Sequence, residues 1–273
     1  MNNKKRIEQL KETQYQELFG VTKETFELML EILNKQYNKD HEKGGKPPKL
    51  SVLDKLLMML CYYREYRTMQ HIAFDYGVCK STVCESVRWV EETLVKSGVF
   101  RLPSKRELHS NHSIDILLVD ATEVEIERPK KKQKQYYSGK KKKHTLKAQI
   151  VVDAEHLNVV CFCISKGKCH DFNLFKSSKL GIRKDIQVIA DSGYQGISHY
   201  HRNSKTPIKS SKNHKLSPEE KQYNKNLSKK RIYVEHVNRY LKRFRILSSR
   251  YRNKRKKFGL RVSLICGIYN FQY

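Results

Sequence analysis

Three acidic residues stand where carboxylates could work together on a phosphate ester. Asp120 ends the apolar run IDILLVD, Asp191 ends a second run, IQVIAD, and Glu235 lies in the basic stretch RIYVEHVNRYLKRFRIL. An aspartate at the end or edge of a buried strand loses its water and needs a cation, a proton or hydrogen-bond donors. Two such aspartates and a helix-borne glutamate, brought together, could hold Mg²⁺ or Mn²⁺, ions that favour oxygen ligands and keep water and substrate phosphate in their shell. Two ions roughly 3.5–4 Å apart can activate an attacking oxygen and stabilise the leaving one in an in-line displacement. Each aspartate alone has a simpler reading, as a turn cap or an arginine's partner. The repetition of the same strand ending favours the metal site.

The glutamate segment carries a second geometric signal. At 100° per residue, Arg231, Glu235 and Lys242 fall within about 40° of one another on a helix. Val234, Val237, Leu241 and Phe244 form an apolar stripe on another face. A plain salt bridge between Arg231 and Glu235 at i, i+4 is the competing account. It leaves unexplained why Glu235 is the one acidic residue between Lys229 and Lys257. Arg231, with its planar fork, and Lys242, as a point charge, are suited to phosphates flanking a reacting bond.

The chain as a whole asks for a polyanionic partner. Its 56 Lys and Arg against 28 Asp and Glu give a formal net charge of +28, a self-repulsion that an acidic partner, most often nucleic acid, would relieve. No apolar run approaches the ~18–20 residues that span a bilayer, and the opening MNNKKRIEQLKETQ is polar, so a cytoplasmic, nucleoid-associated protein with no membrane partner is expected. The odd number of cysteines, seven, with no CxxC pair, speaks against a zinc ribbon or disulfide framework.

The elements that must position these groups change character along the chain. Residues 1–100 read as helices: Phe26, Met29, Leu30 and Leu33 form one stripe with Thr22 as cap, and Asn34–Lys49 reads as a loop. Ser51, with Asp54 three residues on, opens another helix. Met69, Ile72 and Ala73, the turn residue Gly77, and then Val83, Val87, Val90 and Leu94 give a helix-turn-helix pattern within about residues 51–95. Its second helix would present Lys80, Ser81, Thr82 and Arg88 to a major groove, with Cys79 in the capping place and the helix itself starting at Ser81. Trp89 reads as core. Residues 101–112 have linker composition, and 113–273 read as one α/β domain: three strands, a helix capped by Asp171, the strand before Asp191, a long basic loop from Arg202 to Ser228, and the helix of Glu235. Arg128–Lys147 holds ten Lys and Arg and no acid. There Lys130, Lys131, Lys132, Lys140, Lys141, Lys142 and Lys143 are candidates for tracking a phosphate backbone.

At these residues the sequence resembles the DDE transposases of bacterial insertion sequences, in particular the insertion-sequence-five family, whose relatives include the Harbinger-type elements. VDATEVEIERP resembles the family's first-aspartate segment, ADSGYQG its second and RIYVEH…LKRFRIL its glutamate segment, while YYSGKKKKHTLKAQIVVD matches wording between the first two. Arg231, Glu235 and Lys242 keep the family's spacing; Ser228 stands where the family has tyrosine. The resemblance implies a ribonuclease-H-like catalytic core behind an N-terminal helix-turn-helix. It further implies Asp120, Asp191 and Glu235 as ligands of, in all, two Mg²⁺ or Mn²⁺ ions, and metal-dependent cleavage and strand transfer at the terminal inverted repeats of an element. Double-stranded DNA and further copies of the chain on that DNA are the expected partners. Two other functions remain open at this point: a DNA-binding regulator, which would not need all three carboxylates, and a nuclease that cuts without joining.

Overall fold

The computed structural model describes residues 3–44, 48–211 and 215–273; Gly45, Lys46 and Pro47 of the expected loop lie outside them. The chain divides into two compact units. One comprises 1–101, 242–249 and 255–272, the other 102–241, 250–254 and 273.

The first unit opens with six helices: α1 Asn3–Glu8, α2 Glu12–Phe19, α3 Lys23–Asp40, α4 Val52–Arg64, α5 Met69–Asp75 and α6 Lys80–Lys96. Thr22 caps α3 by accepting from the Thr25 N–H, and Ser51 with Asp54 forms a reciprocal capping box on α4. α3 runs on to Asp40, so the loop expected from Asn34 begins later. Its first turn beyond Leu33 is polar but still helix-forming, and polarity alone does not stop a helix. Phe26, Met29, Leu33, Leu56, Val83, Val87, Val90 and Leu94 are buried, the apolar stripes meeting in one core. Gly77 has φ +59 in the turn between α5 and α6, a conformation open to glycine at little cost. Trp89 is half-buried rather than core: its indole N–H donates to Asp40 Oδ2 at 3.2 Å, and the Lys55 ammonium lies 4.8 Å from its ring centre.

The second unit begins with α7 Lys105–Ser110, inside the segment whose composition reads as linker. The signal was Ser104 with Glu107, another capping box. The unit continues with β1 Ile116–Glu125, the one-turn α8 Gln133–Tyr136, β2 Tyr137–Ser138, β3 Lys143–Asp153, β4 Val159–Lys166, α9 Asp171–Ser178, β5 Gln187–Ala190, β6 Ser204–Lys205 and α10 Pro218–Leu241. The sheet runs β2-β3-β1-β5-β6, with β4 also paired to β3. β1, β3 and β4 are antiparallel neighbours, whereas β5 pairs with β1 and β6 with β5 in parallel. This mixed sheet is the α/β, ribonuclease-H-like arrangement expected. Leu117, Val119, Val151, Phe175, Val188 and Tyr194 form the core on one face. α10 starts at Pro218, ten residues before the expected end of the basic loop. Ser217 and Glu220 cap it reciprocally and Pro218 takes the first helical position, where its missing N–H is no loss.

After α10 the chain returns to the first unit through α11 Arg245–Ser248 and α12 Phe258–Gln272. Residues 242–249 and 255–272, expected within one stretch over 113–273, thus group with the helices rather than with the sheet. α12 buries Val262, Leu264, Ile265, Cys266 and Ile268, and a helix apolar on all sides has to be enclosed by others. Within the unit, Glu91 of α6 is 1% exposed; its Oε1 accepts from Arg261 Nε at 2.7 Å and from the Tyr63 hydroxyl at 3.1 Å. Gly267 touches the backbone: a Cβ there would sit 2.0 Å from the Phe100 carbonyl oxygen. Glycine to alanine in mid-helix ordinarily gains up to about 1 kcal/mol. Gly267→Ala is expected to reverse that sign and destabilise the unit by about 3 kcal/mol, since main chain must move, read as a fall in its unfolding midpoint.

Candidate active site

The parallel ladder between β1 and β5 decides where the aspartates stand. Leu117 pairs with Val188, Leu118 with Ile189 and Val119 with Ala190; Asp120 and Asp191 are the next residues on the two adjacent strands. Asp120 is not at a strand end, as its run suggested. β1 continues to Glu125 with β3 as its partner, Asp120 lying opposite Ile150, while β5 stops. The edge that Asp120 borders is created by its shorter neighbour. Asp191 leaves β5 and caps a 3-10 turn over Ser192–Tyr194, its Oδ1 accepting from the Gly193 N–H at 2.8 Å.

Asp120 is held from α10. Asn238, 5% exposed, donates through Nδ2 to Asp120 Oδ2 at 2.7 Å. Burial pushes the Asp120 carboxyl above the usual aspartate range and the charge of Asp191 adds to this; the Ala121 N–H, the Arg231 guanidinium and the Asn238 amide oppose it without cancelling it. Since the folded value is the higher one, the fold without metal binds that proton more readily than the unfolded chain. Stability is therefore lost as pH rises from the ordinary aspartate value, about 3.9, through the raised one. Asp120→Asn is expected to melt higher than the parent in EDTA at neutral pH, each ~1 kcal/mol of relief giving about 2–4 °C. The gap should close as pH falls below the ordinary aspartate range.

Arg231 reaches this pair by its charge, and its Nε is buried without a hydrogen-bond partner. Glu235 is exposed on α10, about 60° round the helix from Asn238. The structure does not gather it with the aspartates: among the described residues, no three His, Cys, Asp or Glu side chains close on a point that could hold a metal ion. Lys242 does not extend the helical edge, because α10 ends at Leu241 and Lys242 falls in the segment grouped with the other unit.

The nucleic-acid candidates are presented to solvent. Lys80, Ser81 and Arg88 are exposed and Thr82 is half-buried on the first turns of α6. That helix starts at Lys80 rather than Ser81, with Cys79 in the capping position. Hydrogen bonds from Ser81 and Thr82 bring the exposed Cys79 thiol down to about 7. Lys130, Lys131, Lys132, Lys140, Lys141, Lys142 and Lys143 are all exposed, Lys143 pairing with Glu125 at 2.6 Å.

Sequence reasoning missed Asn238, Lys147 and the orientation of Asp171. Asn238 had a signal: a polar residue inside the helical face that also carries Val234 and Leu241. Asp171 is the first residue of α9, not its cap, which is His170. The Asp171 carboxylate is instead taken by the buried Lys147, 2.7 Å from Oδ1.

The donor set suits a hard divalent cation. Of two neighbouring carboxylates, one stays pushed up by desolvation in spite of the Arg231 charge, and Mg²⁺ sites commonly use one or two carboxylates with waters and substrate phosphates completing the shell. The comparisons by sequence agree. A family described as "DDE superfamily endonuclease" matches residues 119–270, and "Helix-turn-helix of DDE superfamily endonuclease" matches residues 48–100. The chain is 46% identical to the "Probable transposase for insertion sequence element IS702" of Microchaete diplosiphon, over 98% of this chain and 97% of that one. The crystal structure of the Mos1 mariner paired end complex with Mn is a distant likeness, with 14% identity and a TM-score of 0.21 over 90% of this chain and 87% of that one. Family membership carries dependence on divalent metal, and no helix among the described residues is long and apolar enough to cross a membrane. The chain belongs to the DDE transposases of insertion sequences, with a helix-turn-helix for DNA ahead of a DDE endonuclease domain.

Proposed function

We propose that this transposase binds the terminal inverted repeats of its element through α6 and catalyses cleavage and strand transfer at the Asp120–Asp191 pair, with Glu235 as the third carboxylate. The observation that supports it is the strand register setting the half-buried Asp120 beside Asp191. Asp120 and Asp191 would hold Mg²⁺ or Mn²⁺, two ions in all, with Glu235, exposed on α10 and not gathered with them in this structure, completing the set on DNA. Bound there, divalent cations supply positive charge to the reacting phosphate and make its attacking oxygen more nucleophilic.

The remaining work falls to the chain itself. Asn238 fixes the Asp120 carboxylate through Oδ2, and the Ala121 N–H adds a second hold on it. Arg231, half-buried with its charge beside Asp120, offers a fork of donors to a phosphate flanking the scissile bond. When water attacks phosphorus, the new P–O bond forms as the bond to the 3′ oxygen breaks; that oxygen leaves, takes a proton and becomes a 3′-hydroxyl. In joining, this hydroxyl is the attacking group, and its proton is lost as the target strand's P–O bond breaks. The exposed lysines of 130–132 and 140–143 follow the backbone of the bound duplex. The reading also places the protein in the cytoplasm on chromosomal DNA and as a homo-oligomer when bound to two element ends.

The test is a strand-joining assay with pre-cut element ends, a plasmid target and Mg²⁺. Joined products are expected. Nicking without joining would leave a nuclease, and neither activity would refute an active DDE site.

A further inference from the structure

Next to the proposed site, on the sheet face that carries α9, β3 buries a lysine. Lys147 is 6% exposed, and its ammonium lies 2.7 Å from Asp171 Oδ1, 2.7 Å from the Cys169 carbonyl oxygen and 3.7 Å from Glu123 Oε1. Its position follows from the register, because Lys147 lies directly opposite Glu123 on β1. A full positive charge out of water is tolerated only with such partners. Two carboxylates and a carbonyl are all hard oxygen donors.

Asp171 connects this charge to Asp191. One of its oxygens takes the ammonium. The other turns towards Gly193, where an added Cβ would stand 2.6 Å from Asp171 Oδ2 and 3.0 Å from Asp191 Oδ1. The two carboxylates thus approach the same space, and only the missing side chain of Gly193 lets them do so. Left to themselves they would repel, and Asp171 would draw an exchangeable cation for itself.

We infer that Lys147 is a resident cation of the site, a positioning residue that acts through Asp171 and sets the charge beside Asp191. It neutralises Asp171, so the demand for an exchangeable cation rests on Asp120 and Asp191. Being covalently part of β3, it holds that balance constant while metal and DNA come and go. The inference rests on the reading of Asp120 and Asp191 as metal ligands, and its test separates the two.

The full chain, free of DNA, is titrated with Mn²⁺ and free ion is followed by electron paramagnetic resonance. Lys147→Met removes a nearby positive charge and releases Asp171, so its Mn²⁺ Kd should fall about tenfold. Asp171→Asn removes a negative charge and leaves the ammonium, now held by Glu123 and the Cys169 carbonyl alone, less balanced beside the site, so its Kd should rise about tenfold, within the range that outer-shell changes produce. A purely structural ion pair would move both variants in the same direction, because either change loosens the same site. Lys147→Met with Asp171→Asn conserves net charge and should return Kd to within about threefold of the parent. It also removes the half-buried Asp171 carboxylate that the single change deprives of its ammonium, leaving Glu123 with the Thr145 hydroxyl, so it serves should the single Lys147 variant not fold. Shifts of one sign, no shifts, or a double variant far from the parent overturn the inference. If Asp191→Asn leaves parental Mn²⁺ binding intact, the metal-site reading falls and this inference falls with it. If Asp191→Asn abolishes binding while the Lys147 and Asp171 variants move together, only the inference falls.

Discussion

Asp120→Ala and Asp191→Ala are each expected to reduce cleavage of DNA bearing the element's ends by at least about a thousandfold, on the order of 4 kcal/mol of transition-state stabilisation. Each removes a carboxylate from a pair that has no spare on its side of the site, and residues acting as a unit lose function together rather than in proportion. The double variant should therefore be no worse than either single one. Affinity for the DNA itself should hold or rise slightly, since a negative charge near a phosphate has been removed. A labelled duplex, nicked in Mg²⁺ and resolved on a denaturing gel, with binding measured on the same duplex in EDTA, reads both. Cleavage surviving in either variant would move the chemistry elsewhere. Asn238→Ala should cost less, roughly tenfold, because it loosens the aim of Asp120 without removing it.

The second large effect is structural. Arg261→Met strands Glu91, 1% exposed, with its principal partner gone. The Tyr63 hydroxyl still donates to it, and the Lys257 ammonium stands 3.8 Å from its other oxygen, too little to offset the loss. Breaking a buried ion pair on one side costs about 3–5 kcal/mol, whereas replacing both members by apolar groups is often close to neutral. Arg261→Met should accordingly destabilise the first unit by about that amount, and Glu91→Leu with Arg261→Met should recover most of it. Trp89, the chain's one tryptophan, lies on α6, so its fluorescence follows this unit through denaturant while the sheet is silent. Equal midpoints for the parent and Arg261→Met would show the pair to be dispensable.

What could be read from the amino acids, and what could not, follows the range of the forces involved. Local signals were legible: Thr22 and Ser51 as caps, Gly77 as the turn, and the apolar periods of α6 and β1. Asp120 and Asp191 could be singled out because burial and charge conflict within a few residues of each. Ser104 with Glu107 and Ser217 with Glu220 carried equally local messages, overlooked under Pro, Lys and Ser composition that looks like loop. Non-local facts were out of reach. That β5 stops at Ala190 while β1 runs on to Glu125, or that Lys147 meets Asp171, depends on pairing between residues far apart in the chain. Glu235 illustrates the limit: helix angles placed it correctly on an edge with Arg231, but the buried turn facing Asp120 belongs to Asn238. Lys242 is the first residue beyond α10, where helix angles no longer fix its place.

The return of α12 to the helical unit has a temporal consequence. A ribosome delivers residues 1–101 long before 255–272, yet Arg261 is what satisfies Glu91, and Gly267 is what fits against Phe100. Until residues 255–272 leave the exit tunnel, the helix-turn-helix lacks part of its own interior. Nascent chains and prematurely terminated ones should then be poor at holding DNA, and a fragment cut after residue 101 should be a weak substitute for the whole. Competence to seize an element end would be conferred only on polypeptides extended through α12.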